Sequence, residues 1–239
     1  MIKVVLFDLD GTLLPMDQDV FIKNYFGMLA KHLAPHGYQP EKLIGAVVKG
    51  TEAMILNNGK ITNEQAFWQF FEGVYGVGSR KDEGLFARFY EEQFDKIKLV
   101  CGFNEMALKA VQTVKRRGFR VALATNPIFP AVATHKRIKW AGLTPECFEL
   151  ITTYENSSYC KPNPKYYFEI LKELNVLAEE CVMVGNDVGD DMVAASLGMK
   201  VFLLTDCLIN KSEEDICNYP NGGFNELIAF IENLNKQLP

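Results

Sequence analysis

The chain has 239 residues, 48% of them apolar and 23% charged, which excludes a disordered or low-complexity protein and suits one large domain or a domain carrying an insert. Its 25 basic and 30 acidic residues leave a net charge of −5, so no basic nucleic-acid groove is expected and an anionic ligand would need locally gathered positive charge. The six cysteines form no CxxC pair, no apolar run reaches the roughly 18 residues of a membrane span, and the chain starts in a strand-like run and not a leader; a cytoplasmic protein with free thiols is the expectation.

Residues 3–9 (KVVLFDL) hold a short continuous apolar run with two valines, as in a strand covered on both faces. From residue 15 to 98 no such run recurs. Instead Phe21, Tyr25, Met28 and Leu29, then Phe67, Phe70, Phe71 and Val74, then Phe86, Phe89, Tyr90 and Phe94 fall at helical spacing. Asn63, Gln65 and Ala66 are read as opening one of these helices. The stripes predict an all-helical insert with its own aromatic core. A helix follows over 104–117, stopped by Gly118. Strands are predicted at 120–125, more weakly at 148–152, then at 181–185 and 201–205. Helices are predicted over 163–174, with Asn163 and Pro164 at its start, and over 224–234. This alternation predicts a doubly wound α/β fold with a parallel sheet.

Chemistry concentrates where strands end. Asp8 and Asp10 in DLDGT lie two apart, hence on one side of the strand terminus, and Gly11 permits a sharp departure. Two carboxylates there can share a divalent cation or divide nucleophile and acid roles. The strand at 120–125 runs into Thr125-Asn126-Pro127, whose hydroxyl and N–H groups can bind phosphoryl oxygens. Lys161-Pro162 offers a fixed positive charge before a helix. The run 183–191 (MVGNDVGDD) leaves a buried strand into an acidic turn, where Asp187 and Asp191, four apart, suit Mg²⁺.

In this order and spacing, DxDGT, strand–TN, KPxP and VGNDxxxD resemble the four motifs of the haloacid dehalogenase-like hydrolase superfamily, and the helical block resembles the cap of its first subclass. The resemblance implies a Rossmann-like core from 1–14 and 99–239 with a cap at 15–98, hinged near Leu14-Pro15 and 100–102. It implies a Mg²⁺-dependent phosphatase acting on a small phosphorylated metabolite. Asp8 would be the nucleophile and Asp10 the general acid and base. Thr125, the Asn126 N–H and Lys161 would hold the phosphoryl group. The metal would be bound by Asp8, the Asp10 carbonyl and Asp187, with Asn186, Asp191, Gly11 and Thr12 in support.

The family commonly writes GD where this chain has Gly185-Asn186-Asp187, so Asn186 could take the metal position. Asp187 is preferred because a carboxylate carries full charge. Asp190 is expected to be solvated or helix-capping, Cys160 a bystander and Lys115-Arg116-Arg117 a solvated helix end; His32, His36 and His135 have no ligand spacing. A phosphoglucomutase-type phosphotransferase would use the same motifs. A phosphonate hydrolase would need a cap lysine, with Lys23, Lys31, Lys42 and Lys49 available. A pseudo-phosphatase binding module is the non-enzyme alternative. The oligomeric state is left open.

Overall fold

The structure, a computed structural model, describes residues 1–236. Its strands are β1 (Val4–Phe7), β2 (Arg120–Leu123), β3 (Leu150–Ile151), β4 (Cys181–Gly185), β5 (Lys200–Leu204) and β6 (Asn221–Gly222). They form one parallel sheet in the order β3-β2-β1-β4-β5-β6. The chain winds outward from β1 on one side and from β4 on the other, so the two central strands flank the point where the winding reverses. Ligands bind outside the carboxyl ends of strands at such a point. Register brings those ends level: Phe7 pairs with Leu123 and Val184. The Asp8 N–H donates to the Val184 carbonyl at 2.8 Å, and the Ala124 N–H to that of Phe7 at 2.7 Å.

Strand alternation divides the core. Val5 and Phe7 face Val111 and Val114 of α5 (Glu105–Arg116) and Leu227 and Ile231 of α8 (Phe224–Asn233). Val4 and Leu6 face Tyr166 and Ile170 of α7 (Pro164–Leu174). Both faces are apolar because both are covered, which is why the central strands read as unbroken hydrophobic runs. The Asn163 side chain caps α7, accepting from the Lys165 N–H. The run Lys115-Arg116-Arg117 is not merely solvated: Arg116 pairs with Glu232, and Arg117 donates to the Leu234 carbonyl, tying α5 to the last turn of α8.

Between β1 and α5 lie α1 (Gln18–Leu33), α2 (Pro40–Ile55), α3 (Asn63–Tyr75) and α4 (Glu83–Glu92). Phe21, Tyr25, Leu29, Phe71, Phe89 and Phe94 are all buried, as the stripes predicted, while Phe70 and Val74 are half-exposed and Trp68 takes the inward position instead. Asn63 opens α3 as expected, and Thr62 before it is the cap. Its hydroxyl accepts from the Gln65 N–H, and the Gln65 side chain accepts from the Thr62 N–H, a reciprocal capping box. Thr62→Ala is expected to lower stability by about 1 kcal/mol, read as a shift of the urea midpoint. Asn63 instead joins the insert to the sheet domain: its backbone N–H donates to Ser157 O, and its side chain to Pro127 O and Cys160 Sγ. The insert leaves and returns side by side, through a Met16–Cys101 bridge and a 2.7 Å bond from Gly102 N–H to Pro15 O. Among the described residues, no helix is long and apolar enough to cross a membrane.

Candidate active site

Asp8 follows β1 directly, and its carboxylate is held from two sides. Lys161 Nζ donates to Oδ1 at 2.9 Å and Thr12 Oγ1 lies 3.3 Å from Oδ2. Lys161 is not a solvated lysine. Its residue is 2% exposed, and the ammonium also donates to Asp191 Oδ1 at 2.6 Å. Burial disfavours that charge, but Asp191 and then Asp8 oppose it and hold the Lys161 pKa well above the usual lysine value. Burial pushes the Asp191 carboxyl up to about 7 against the pull of Lys161. Asp191 Oδ2 accepts from the Asp187 N–H, and this carboxylate lies where a Gly185 side chain would project. Glycine at the end of β4 therefore makes room for the buried charge pair.

The turn after β1 is equally tight. Gly11 has φ +83°, and a Cβ on it would meet the Asn186 amide at 2.4 Å. Asn186 is packed against the turn, with Oδ1 accepting from Thr12 Oγ1 at 2.9 Å and Nδ2 donating to the Cys207 carbonyl. Asp187 also lines the site cavity, but its Oδ1 accepts from the N–H groups of Gly189 and Asp190. The structure thus puts Asn186 beside Thr12 and Asp8, with Asp187 one residue further along the wall. Thr125, at the end of β2, has its carbonyl clamped by Thr152 Oγ1 and Tyr166 OH, while the residue lines the cavity. Asn126 donates to Asp190 Oδ2 at 3.3 Å. Asp190 is therefore part of the site and not simply solvated, and burial raises its pKa. Burial also pushes the Cys160 thiol up to about 12, consistent with a bystander.

Asp10 shows what the sequence reading missed. Its Oδ2 is paired with Arg137, a fully buried residue of α6 (Ala131–Trp140). The guanidinium also lies over the Phe129 ring, 4.5 Å from its centroid. Asp10 Oδ1 is buried without a hydrogen-bond partner. Burial raises the Asp10 pKa, and Arg137 opposes that rise. Arg137 thus fixes one carboxyl oxygen and leaves the other able to carry a proton. The signal in the sequence was an arginine on the same helical face as Ala133, beside Ile138 and near Trp140, all buried; such a position demands a buried anion.

Arg137→Met is expected to destabilise the protein by an amount toward the lower end of about 3–5 kcal/mol, because the Asp10 side chain retains 21% exposure. Removing the opposing cation lets the Asp10 pKa rise further. In the general-acid role expected of it from the sequence, Asp10 must hold its proton, so the alkaline fall in kcat should move to higher pH. Thermal melts and a pH–rate profile check the two effects; an unmoved alkaline limb would separate Arg137 from Asp10 protonation.

The side-chain oxygen donors lining the cavity include the carboxylates of Asp8, Asp10, Asp187, Asp190 and Asp191 and the Asn186 amide. Among the described residues no three His, Cys, Asp or Glu side chains form a ready metal cluster. With Asp10 and Asp191 paired to Arg137 and Lys161, carboxylate and amide oxygens remain that fit Mg²⁺, a hard ion that keeps several waters. None of Lys23, Lys31, Lys42 or Lys49 lines this cavity; Lys161 and Lys211 do.

Residues 2–198 match the model of the haloacid dehalogenase-like hydrolase family. A phosphoglycolate phosphatase from Colwellia psychrerythraea is 32% identical over 215 residues, covering 85% of this chain and 84% of that protein. A bifunctional riboflavin kinase/FMN phosphatase from Arabidopsis thaliana is 28% identical over 202 residues, covering 82% of this chain; the chain spans 47% of that relative's length. A phosphatase structure from Thermococcus onnurineus superposes with a TM-score of 0.58 at 19% identity, covering 96% of this chain and 98% of that one. The family match, spanning all four strand-end segments of the site, shows that this chain belongs to the haloacid dehalogenase-like hydrolases.

Proposed function

We propose that this protein is a Mg²⁺-dependent phosphatase that hydrolyses a small phosphomonoester through an aspartyl-phosphate on Asp8. The observation that carries the reading is the pairing of two differently held carboxylates two residues apart. Asp8 is ion-paired to buried Lys161, whereas Asp10 keeps an unpartnered Oδ1. Divergent environments of this kind assign nucleophile and acid within one site.

In this mechanism Asp8 attacks phosphorus, and Lys161 offsets charge shared between the nucleophile and the transferring oxygens. Thr125 and the Asn126 N–H orient the phosphoryl group. Asp10 protonates the leaving oxygen from Oδ1, then takes a proton from the water that cleaves the acyl phosphate; such acid–base help is worth about 10²–10⁴ in rate. Asp8, the Asp10 carbonyl and an oxygen of Asn186 or Asp187 would hold Mg²⁺, which would supply further positive charge for the phosphoryl oxygens. The helical block at 15–98 acts as a cap, excluding water over the site. Phosphonate hydrolysis is set aside because it needs an imine-forming amine from the cap.

The test is phosphate release from sugar phosphates, phosphoglycolate, FMN and acetyl phosphate, with and without Mg²⁺. Chelation with EDTA should abolish release, and added Mg²⁺ should restore it. Release unchanged by EDTA would remove the metal from the reading, and no release from any ester would sink it. Mg²⁺ titrations of Asn186→Ala and Asp187→Ala then identify the ligand by which variant raises the activation midpoint.

A further inference from the structure

A second cavity of about 340 Å³ lies beside the catalytic one, between the cap helices and the segment that follows Thr125. The two adjoin across Ile22, Ile128 and Phe129, which line both. Its inner wall is aromatic: Phe67, Trp68, Phe86 and Tyr90 are all buried there. Its rim is apolar and open. Ile22, Val48 and Ile55 are 43%, 39% and 42% exposed, although each faces the chamber. Exposed large aliphatics around a concave aromatic wall mark a binding groove more often than chance surface.

Charge narrows the occupant. Among the described residues, Glu52 is the only formally charged one lining the chamber, and no lysine or arginine lines it. A second phosphate, or the carboxylate of a compact acid, would be desolvated there without a cation. Polar anchoring is sparse but present. The Tyr25 and Tyr90 hydroxyls bond each other at 2.8 Å. Trp68 Nε1 is buried without a well-formed hydrogen bond, although it lies close enough to act on the Tyr154 hydroxyl. A planar body with one or two acceptors would meet these groups and stack on the rings.

We propose that this chamber holds the leaving group of the substrate, and that the substrate is a monophosphate ester of a bulky, uncharged aromatic alcohol. The proposal rests on the phosphatase reading above and names its substrate class. It uses contiguity: with phosphorus at Asp8, the ester oxygen faces Asp10 and the alcohol body extends past Ile22 and Phe129 into the aromatic wall.

The experiment compares 2-naphthyl phosphate with acetyl phosphate and phosphoglycolate, using the full chain with Mg²⁺. In parallel, binding of 2-naphthol is measured by calorimetry at several temperatures. The expected result is at least about a tenfold higher kcat/KM for the naphthyl ester, and naphthol binding with a negative heat-capacity change. Val48→Arg, placing a charge on the rim, should weaken naphthol binding about tenfold and raise KM for the naphthyl ester by a larger factor than KM for acetyl phosphate. Ile55→Arg repeats the test from the other side of the rim. Faster turnover of phosphoglycolate than of the naphthyl ester, or no naphthol binding, would overturn the chamber's role. Naphthol binding that is lost in Val48→Arg, with no ester hydrolysed, would keep the chamber and sink the phosphatase reading.

Discussion

Asp8→Asn should lose phosphate release by about 10⁴–10⁶-fold while remaining folded. An amide oxygen lacks the charge that attacks phosphorus, and the other carboxylates lining the cavity are engaged elsewhere: Asp191 with Lys161, Asp10 with Arg137, Asp187 with the Gly189 and Asp190 N–H groups, and Asp190 with the Asn126 amide. The fold should survive because Lys161 keeps Asp191 at 2.6 Å, so no charge is left buried alone. The stability change should stay near about 1 kcal/mol. Two measurements check this: phosphate release, and a hydroxylamine-sensitive acyl phosphate that forms on the parent protein and not on the variant. Wild-type turnover by the variant would remove Asp8 from the nucleophile's role.

Lys161→Met should be damaging in two ways. Loss of the ammonium removes the cation shared with the nucleophile, an effect of about 10²–10³ in kcat. It also leaves Asp8 and Asp191 buried together without their cation, which costs about 3–5 kcal/mol. The sign of the pH dependence follows from Asp191. Its pKa is already raised from 3.8 to about 7 by burial, and removal of Lys161 raises it further. A carboxyl with a folded pKa above its unfolded value stabilises fully below the unfolded pKa and loses that contribution as pH rises through the folded one. The variant's deficit in melting temperature should therefore be small near pH 5 and grow through pH 8. A deficit that shrinks with rising pH would contradict the buried pairing of Lys161 with Asp191.

Much of this architecture was legible from residues alone. The central strands declared themselves because both faces are covered, giving runs such as CVMVG. Strand β6 did not, since Asn221–Gly222 has no apolar side chain to bury. Helices α2 and α6 went unmarked. In α6 the inward face holds Ala133, Thr134 and Arg137 before Ile138 and Trp140, so its apolar stripe is interrupted. That interruption is what hid Arg137, the partner of Asp10. Lys161 was found from its motif, but its burial depends on Asp191, 30 residues away, a tertiary fact no local pattern contains. The preference for Asp187 over Asn186 rested on charge. The geometry adds a competing consideration, because Asp187 Oδ1 is occupied by two backbone N–H groups whereas Asn186 Oδ1 meets the Thr12 hydroxyl beside Asp8.

The side-by-side exit and return of the helical block at Pro15 and Gly102 bears on folding order. Because these residues are bonded across 2.7 Å, the sheet domain meets the block as one closed loop. Loop-closure entropy grows only with the logarithm of loop length, each doubling adding about 0.6 kcal/mol. The core strands are thus hardly penalised for their long separation in sequence, provided the block gathers its aromatic core first and draws its two ends together. Helical contacts are local and form early. On this view the block is a folding clamp as well as the proposed cap: its collapse presents β1 to β2, two neighbours that the chain sequence alone would leave far apart.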